Sequence, residues 1–311
     1  MNILLHLMIL LPLLLGGQGS PLPGTDFKPV TFTVIDTAGR PVPGALVEAS
    51  VPGPGNATGL TDQKGVVILQ LVTGATLHLF VSRNSYYTTS GELWTGGIHK
   101  GPDGRLVPRV LPDSFTVTLK EVRDPVPLRK TVFRGRAPAT GKPVGFDLEA
   151  GDWIRPYGRG TTTDLLFQFH AVELEPESFT GTMTLLFPNK GDGIQPFEAP
   201  RPFSTDFGSN LAPPHRAPVD GYRPSLSRTL AHKKGDPWST QANHRRNYLL
   251  RTRTVLDPAG SIRRACYGWI QGEIEFDPRD PAGPQLAFTA FFNPDPHPDA
   301  RSLEDPRFLP N

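Results

Sequence analysis

Apolar and polar residues alternate with a period of two in many short segments of the chain. In the first of these segments, Val30, Phe32 and Val34 alternate with threonines, which is the pattern of a β-strand with one buried face. A turn at residues 36–39 ends this strand, and the prolines that follow keep the backbone extended until a second strand begins at Ala45. The same alternation predicts further strands at residues 65–71, 77–81, 115–119, 163–172 and 179–187.

The first of these strands carries a sequence motif. Residues 34–47 read V-x-D-x-x-G-R-P-V-P-G-A-x-V, and Thr61-Asp62-Gln-Lys-Gly65 with an apolar strand follows. Over about residues 28 to 121 this pattern resembles the carboxypeptidase regulatory-like (transthyretin-like) module, and we place that domain at residues 25–121. The resemblance implies an immunoglobulin-like β-sandwich that acts as a structural or binding appendage.

A second domain is predicted after a break in the pattern. The alternation lapses at residues 124–127, Asp-Pro-Val-Pro, which indicates a linker over residues 122–142. The region 143–311 contains Y-L-L-R-T-R-T-V-L-D-P-A-G at 248–260 and Y-G-W-I-Q-G-E-I-E-F at 267–276. In these motifs it resembles a domain of uncharacterised exported bacterial proteins. That resemblance brings no assigned activity.

Within the second domain, residues 188–246 lack strand alternation and are rich in proline. A segment of this length is either functional or contains an element that the pattern does not reveal. We expect it to form a flap over a second β-sandwich. Residues 225–234 predict one short helix in the flap, because Leu226, Leu230 and Ala231 have helical spacing, Ser225 suits the N-cap and Gly235 suits the stop.

Residues 247–256 and 262–276 predict a β-hairpin with a defined register. Pro258 and Gly260 suit a bulged turn at residues 257–260. One predicted face is the core side, on which Cys266 is buried and inert; it pairs Leu256 with Ile262, Thr252 with Cys266, Leu250 with Gly268 and Tyr248 with Ile270. The other face turns outward and pairs Val255 with Arg263, Arg253 with Ala265, Arg251 with Tyr267 and Leu249 with Trp269.

Composition agrees with an all-β protein. The 311 residues allow two domains, and 35 prolines and 32 glycines among short segments rich in Val, Thr and Phe favour strands and turns over helices. We therefore predict a transthyretin-like or immunoglobulin-like sandwich followed by a second sandwich-like domain. The formal net charge of +2 argues against a dedicated nucleic-acid binder.

The charge is unevenly placed along the second domain. Residues 201–264 hold twelve Lys or Arg and four Asp or Glu, a net charge of +8, and residues 265–311 hold three and eight, a net charge of −5. We expect the acidic C-terminal segment to lie across the basic flap. In the competing interpretation, the flap stays open for an acidic polymer.

The N-terminus predicts export. Residues 3–15 are apolar except for His6, and residues 16–20, which are small except for Gln18, suit cleavage, so residues 1–20 predict a signal peptide. The run is shorter than the roughly 20 residues of a membrane span, although an anchor is the alternative. We expect a secreted or periplasmic protein with no stable membrane span. Its one cysteine, Cys266, leaves it without an internal disulfide.

Six residues are candidates for ligand binding. Tyr86, Tyr87 and Trp94 lie in a predicted loop over residues 84–112, where they either grip a sugar ring or a partner, or cover the end of their own core. Tyr267 and Trp269 stand beside arginines such as Arg251, where the flap either covers them or leaves them to a ligand.

Motifs for catalysis and for metals are weak. The chain has no G-x-S-x-G, H-E-x-x-H, P-loop or dinucleotide glycine pattern, and Ser209 reads as a turn residue. Asp295, His297 and Asp299 are the nearest approach to a cation site, but hard-cation sites usually draw on several segments. We assign no catalytic residue, no metal and no cofactor. Whether His170, His215, His232 and His244 converge is a question for the structure.

One enzyme family shares a motif with the chain. The G-x-P-V-x-G-A pattern at residues 39–45 resembles that of the intradiol ring-cleaving dioxygenases, sandwich enzymes that bind iron through two tyrosines and two histidines. The match ends there, because His170 stands alone where that family has a His-x-His pair, and Tyr86 and Tyr87 are not spaced as two facing ligands.

Three functions follow from these observations. The first is an exported, non-enzymatic protein with a structural or binding role, whose partner is a glycan or an envelope protein. The alternative is a polysaccharide-binding or polysaccharide-processing accessory protein, and the third is a metal-dependent enzyme of intradiol-dioxygenase-like fold. Binding to glycans favours the second, and protein partners found by crosslinking favour the first.

Overall fold

The computed structural model describes most of the chain after the predicted signal peptide, residues 1–20, which lies outside the described residues. Among the described residues, the backbone alone is described at positions 94, 99, 108 and 171–175. The described ranges are 27–50, 56–74, 76–94, 97–101, 103–108, 110–175, 178–202, 206–236, 243, 245–280 and 282–309.

The described residues form an all-β protein, in which the one helical element is a 3-10 turn at Pro306–Phe308. The strands of the first half are β1 (Phe27–Asp36), β2 (Leu46–Ser50), β3 (Ala57–Leu60), β4 (Val66–Val72), β5 (Thr76–Ser82), β6 (Tyr86–Tyr87), β7 (Thr89–Trp94), β8 (Ile98–Lys100), β9 (Leu106–Pro108) and β10 (Ser114–Glu121). Those of the second half are β11 (Arg129–Arg136), β12 (Val144–Asp147), β13 (Asp152–Trp153), β14 (Leu165–Glu175), β15 (Ser178–Leu186), β16 (Gly193–Glu198), β17 (Gly208–Ser209), β18 (Ser225–His232), β19 (Arg246–Leu256), β20 (Ile262–Asp277) and β21 (Gln285–Asn293).

The first sandwich encloses a mainly aliphatic core. One sheet has the order β4-β1-β10-β6, with β1 and β10 parallel, and the other has the order β17-β7-β5-β2-β3. Alternate residues of β1, β2 and β5 point inward, as the period of two requires. The buried side chains are Val, Leu and Ala with the single ring of Phe32. Strands β8 and β9 form a separate hairpin.

The second sandwich encloses an aromatic core. Its sheets have the orders β11-β21-β20-β19-β16 and β13-β12-β14-β15-β18. Phe146 meets Trp153 edge-on with ring centroids 5.4 Å apart and meets Phe288 in the same manner at 5.2 Å. Such edge-to-face pairs add stability beyond the area that they bury.

An outer layer covers the other face of the β11-β21-β20-β19-β16 sheet. Here Trp269, Tyr267 and Phe291 pack against residues of the linker, the flap and the C-terminal segment, among them Leu128, Ala217 and Leu303. The sheet is thus buried on both faces, which explains why β20 reads as a nearly continuous buried run rather than as an alternation.

The predicted helix at residues 225–234 is wrong, because these residues form strand β18, which pairs with β15. Leu226 and Leu230 are four residues apart, a spacing that fits a helix and also fits one face of a strand. The strand interpretation prevails because β15 presents an open edge to which β18 adds a ladder of backbone hydrogen bonds.

Three predicted irregular regions contain strands. The flap, residues 188–246, contains β16 and β17 besides β18; the linker, residues 122–142, contains β11; and the loop at residues 84–112 contains β6 to β9. Apart from β7, which lies between β17 and β5, these strands are short or lie at sheet edges, so each buries too few side chains to produce a clear alternation.

The predicted hairpin register is confirmed on both sides of a bulge. Thr252 pairs with Cys266 and Leu256 with Ile262. Between them the register shifts, so that Val255 pairs with Arg264 rather than with Arg263. Arg253 lies in the bulge with a φ of 54°, a left-handed conformation that is uncommon outside glycine. The bulge turns Arg253 away from the outward face that the pattern predicts for it.

The C-terminal segment contacts the flap, as predicted, and charge joins them at Glu273, which lies 2.9 Å from Arg228 and 3.5 Å from Arg246. Elsewhere the contact is made by the backbone: Ala217 N donates to Arg301 O at 2.7 Å and Leu303 N donates to His215 O at 2.9 Å. The Arg216 guanidinium donates to the Asp299 carbonyl rather than to its carboxylate. Among the described residues, no helix is long and apolar enough to cross a membrane.

Candidate functional site

The predicted aromatic face of the β19-β20 hairpin is buried. Trp269 and Tyr267 are almost fully covered by the outer layer, and Trp269 stacks on Phe291 with ring centroids 4.6 Å apart. Of the two interpretations left open, the structure favours coverage by the flap. The prediction that these two rings contact a ligand is therefore corrected, because the outer layer occupies the space that a ligand would need.

Of the aromatic candidates in the first sandwich, the two whose side chains are described, Tyr86 and Tyr87, contribute to packing. Tyr87 is fully buried, and its hydroxyl donates to Glu304 Oε2 at 2.9 Å. Tyr86 is half-buried and packs against the first core. Trp94 ends β7 with its backbone opposite Thr76, and its side chain lies outside the described residues. Tyr87 is thus removed from the ligand candidates.

Arg251 holds the flap in place. Its guanidinium donates to Gly191 O and to Val219 O, both at 2.6 Å, and lies 4.6 Å from the centre of the Tyr222 ring. Burial raises the pKa of Tyr222 above its ordinary value, so this phenol stays neutral beneath the guanidinium. The predicted stacking role is present, but the ring that Arg251 covers belongs to the flap rather than to β20.

A cluster of charged side chains lies at one end of the second sandwich, where the bulge points Arg253 inward. The guanidinium of Arg253 binds Asp164 through two hydrogen bonds of 2.8 and 3.0 Å and donates to Glu149 Oε2 at 2.8 Å. It lies 3.5 Å from Asp147 Oδ1 and over the ring of Phe292 at 5.0 Å. A paired, bidentate contact of this kind is among the strongest polar contacts in proteins.

The electrostatics of the cluster favour the charged forms. Burial alone would lower the pKa of Arg253, but the hydrogen bonds that Arg253 donates to Asp164 and Glu149 outweigh it and raise that pKa. Burial also opposes the charge of Asp147, yet the backbone N–H groups of Thr162, Ala150 and their neighbours lower its pKa overall. Burial raises the pKa of Asp164, but we assign it as the carboxylate because the bidentate guanidinium stabilises that form.

An open cavity of about 500 Å³, the end cavity, lies beside this cluster. The volume suits a small ligand. Burial raises the pKa of the Cys266 thiol to about 11, so the only sulfur in its wall is protonated at neutral pH and is a poor nucleophile. Arg264 is exposed and has no carboxylate partner among the residues that the structure describes. The lining consists of Thr162, Thr163, Pro188, Asn189, Arg253, Thr254, Val255, Arg264, Cys266, Pro294 and Pro296.

A second buried carboxylate is paired in the same sandwich. A bulge in β20 places Glu273 against Tyr248, whose hydroxyl donates to Glu273 Oε2 at 2.6 Å. Arg228 lies 2.9 Å from the same oxygen, and Arg246 lies 3.5 Å from Oε1. Burial, and then the bond to Glu273, raise the pKa of Tyr248. This group closes the flank of the sandwich between β18 and β19.

The two sandwiches meet along a seam that a strap from the flap forms. The strap, residues 206–213, adds β17 to the first sandwich beside β7 and inserts Phe207 against Phe115 of the first core. Gly91 is required beneath it, since a Cβ there would lie 2.8 Å from the Phe207 ring. The strap and β10 enclose a second cavity, the seam cavity, of about 440 Å³.

Lys120 fastens the strap to the first sandwich. Its ammonium donates to the carbonyls of Leu211, Ala212 and Pro213 at 2.9, 3.1 and 2.9 Å. Burial lowers the pKa of Lys120 to about 8, because desolvation disfavours the charged form. All three donors of the ammonium are used, so Lys120 acts as a clamp.

Glu304 completes the seam from the C-terminal segment. Its carboxylate is buried and accepts from the Tyr87 hydroxyl at 2.9 Å, from Arg123 N at 2.9 Å and from Asp124 N at 3.1 Å. One side chain thus joins β6 of the first sandwich, the start of the linker and the C-terminal segment.

The remaining candidates do not converge. Ser209 lies in β17 and its hydroxyl accepts from Leu211 N at 3.3 Å. His215 Nε2 lies 2.7 Å from Glu121 O at the seam, whereas His170 and His232 lie in β14 and β18, and His244 lies outside the described residues. Asp295 and His297 bond the backbone two residues onward. In the part of the chain that the structure describes, no three His, Cys, Asp or Glu side chains could hold a metal ion.

The sequence patterns missed the residues that organise these sites. Arg253 sits between two alternating threonines and reads as an outward residue, and nothing in its neighbourhood signals a left-handed bulge. Glu304 and Lys120 read as surface charges. A weak signal exists for Asp147, which follows the apolar strand residue Phe146, and for Asp164, which directly precedes the apolar strand residue Leu165, since both positions are typical of turns.

Comparisons with known proteins give little guidance. No family model matches the chain, and no curated protein matches it. Among solved structures, the chain is similar to catechol 1,2-dioxygenase from Acinetobacter sp. ADP1, inhibited by bound mercury, at 13% identity with a TM-score of 0.25. The similarity covers 33% of this chain and 55% of the dioxygenase chain. A likeness this low carries no argument about activity.

Proposed function

We propose that the protein is exported and acts without catalysis, as a binding protein in the periplasm or outside the cell, with a carboxypeptidase regulatory-like module as its first sandwich. The observation that carries this proposal is the end cavity. It has the volume of a ligand site, and the charged groups behind it are bonded to one another. Arg264 remains available to a ligand at the mouth.

The chemistry of the end cavity suits binding better than catalysis. A catalytic acid or base must be free to exchange a proton with the substrate. Here both oxygens of Asp164 accept from Arg253, both oxygens of Asp147 accept from backbone N–H groups, and Cys266 keeps its proton. These groups fix the shape of the wall. They are poor candidates for proton transfer or nucleophilic attack.

The alternative of a polysaccharide-binding role is favoured by the composition of the wall. Thr162 and Thr163 supply hydroxyl groups, Arg264 supplies a cation, and the rings of Pro294 and Pro296 supply flat apolar surface. Hydroxyl and guanidinium groups bind the hydroxyl and carboxylate groups of acidic sugars, and apolar surface packs against the C–H faces of their rings. A short oligosaccharide that contains uronic acid is the ligand that we infer for this case.

Calorimetric titration with neutral and uronic-acid oligosaccharides tests the proposal. We expect saturable binding that Arg264→Ala weakens about tenfold, because a charge-assisted hydrogen bond is lost. Arg263→Ala is the matched control, since Arg263 is the neighbouring exposed arginine and does not line the cavity. Failure with every glycan, together with protein partners found by crosslinking, would favour the structural role.

The enzyme alternative has its own test. Iron analysis of the purified protein and an assay of catechol ring cleavage address an intradiol-like activity. We expect no stoichiometric iron and no turnover, because the Tyr87 hydroxyl is committed to Glu304. Stoichiometric iron with ring cleavage would overturn the non-enzymatic proposal.

A further inference from the structure

The hairpin formed by β8 and β9 carries apolar side chains that its own protein leaves uncovered. Ile98 is 61% exposed, Leu106 is 68% exposed and Val110, just beyond the hairpin, is 73% exposed. Val107, on the opposite face from Leu106, is 36% exposed. Single exposed apolar residues are ordinary, but Ile98, Leu106 and Val110 lie within thirteen residues, and such a concentration indicates an interaction surface.

The first sandwich does not need this hairpin for its own core. None of the four side chains belongs to the three buried clusters or packs against them. The two strands pair with each other, Ile98 opposite Pro108 and Lys100 opposite Leu106, in a sheet separate from the sandwich. An isolated two-stranded hairpin has marginal stability in water, so a partner surface would stabilise it.

Cationic side chains accompany the apolar ones. Lys100 and Arg105 are exposed beside Leu106, and the sequence has a third basic residue at position 109. The only acidic residue from 98 to 110 is Asp103, whose carboxylate lies 3.7 Å from Arg105 Nε. The segment thus combines exposed apolar residues with a net charge of +2, three basic residues less one acidic.

The exposed apolar residues and the net positive charge together indicate which kind of partner could cover the hairpin. In a symmetric contact with a second copy of the chain through this hairpin, the net positive charge of one hairpin would be brought close to that of the other, and like charges repel. An anionic bilayer surface satisfies both features at once, since apolar side chains enter the headgroup boundary while Lys and Arg bind lipid phosphates.

We propose that the β8-β9 hairpin docks the protein on the surface of an anionic membrane. Ile98, Leu106 and Val110 enter the interface, and Lys100 and Arg105 contact the lipid headgroups. The contact is peripheral and reversible, because a few side chains bury little apolar area. This inference is independent of the end cavity, which lies in the other sandwich.

Co-flotation with lipid vesicles tests the proposal on the purified chain. We expect binding to vesicles of phosphatidylcholine with phosphatidylglycerol and little binding to phosphatidylcholine alone. Ile98→Ser with Leu106→Ser should lower the partition coefficient about tenfold, since two aliphatic side chains are lost. Lys100→Gln should lower it about fivefold, and added salt should have a similar effect.

Matched controls lie at the far end of the same sandwich. Leu60 is 65% exposed and pairs with Leu46, which lies opposite Ser82 at the last residue of β5. The β8-β9 hairpin follows Trp94, which lies opposite Thr76 at the first residue of β5. Leu60→Ser and Lys64→Gln should leave vesicle binding unchanged. Every variant shares the same N-terminus, so the predicted signal peptide does not affect the comparison.

A second readout does not depend on removing side chains. Cys266 is buried with a raised pKa, so in Val110→Cys the new thiol is the one that reacts rapidly. A dye attached there should shift its emission to shorter wavelength on anionic vesicles, and the same dye on Leu60→Cys should not. Failure of the wild-type chain to bind vesicles, equal binding by the hairpin variants, equal binding to neutral vesicles, or no shift at Val110→Cys would each overturn the proposal.

Discussion

The two sandwiches are closed in different ways. The second sandwich fills its interior with aromatic rings from its own strands and closes one end with Arg253, from its own β19. The first has an aliphatic core and takes a strand, the ring of Phe207 and the carboxylate of Glu304 from the second half of the chain. The first sandwich therefore depends on the second for completion, whereas the second is largely self-sufficient.

The largest expected loss of stability follows from removing the charge of Arg253 inside the second sandwich. Arg253→Met leaves Asp164, which is fully buried, without its charged partner. Removal of one member of a buried ion pair costs about 3–5 kcal/mol, so urea unfolding should show a loss of that size. Arg264→Met, at the same cavity, is the control and should change stability by less than about 0.5 kcal/mol.

A double variant makes this prediction sharper. Arg253→Met combined with Asp164→Leu removes both charges and should recover much of the loss, because an apolar pair can replace a buried ion pair. If the double variant is less stable than Arg253→Met alone, the cost of an unpaired Asp164 is not the reason for the loss.

The next largest loss of stability should be confined to the first sandwich. Phe207→Ala removes the ring that the strap inserts beside Phe115, and its cost should be about 2 kcal/mol, below the value for a fully buried Phe because Phe207 is half-buried. Hydrogen exchange should show lower protection in β7 and β10 and unchanged protection in β14. Phe308→Ala, in the outer layer, should spare β7 and β10.

Glu304→Gln should weaken the seam by about 1–2 kcal/mol, because both oxygens of Glu304 accept hydrogen bonds and the amide nitrogen of Gln, which cannot accept, replaces one of them. Tyr87→Phe removes one of these donors. A double-mutant cycle between the two changes should give an interaction energy of at least about 0.5 kcal/mol by urea unfolding. Additive effects would contradict the bond between Tyr87 and Glu304.

The smallest effect is a dependence of stability on pH at the strap. The pKa of Lys120 is about 8 in the folded protein, below its ordinary value of about 10.4. Between these values the unfolded chain holds a proton that the folded chain releases, so stability from this group rises with pH and is constant below about pH 8.

The Lys120 effect is isolated by comparison with Lys120→Met. Cys266, whose folded pKa is about 11, acts in the opposite direction above about pH 8.5, but it does so in both proteins. Relative to Lys120→Met, the wild-type chain should gain about 1 kcal/mol between pH 7 and pH 9. A difference that is constant over this range would mean that Lys120 keeps its proton in the seam.

Much of the strand pattern could be predicted from the sequence, because strands that bury one face repeat every two residues. The β19-β20 register was predictable since a turn and an alternation agreed on it, as with Thr252 opposite Cys266. Strand β18 was not predictable, because the four-residue spacing of Leu226 and Leu230 fits both the period of a helix and that of a strand. Strand β17 was not predictable because two residues bury too little side-chain surface to form a pattern, and because β17 pairs with a strand more than a hundred residues earlier.

The candidate sites were less predictable than the fold. Whether Trp269 is exposed depends on the outer layer, whose residues come from three distant segments. The inward turn of Arg253 depends on a bulge, and the burial of Glu304 depends on partners about 180 residues earlier. Local patterns carry no information on such long-range contacts.

Because β17 comes from the second half of the chain, the first sandwich stays incomplete for part of the time that the ribosome makes the chain. A ribosome that adds about 5–20 residues per second needs roughly 4–18 s to proceed from the end of β10 to the strap. During that interval the β7 edge, which the strap later covers, can offer unpaired backbone groups to other strands. A nascent chain is therefore vulnerable to wrong pairing, and a chaperone bound to the β7 edge would protect it until the strap arrives.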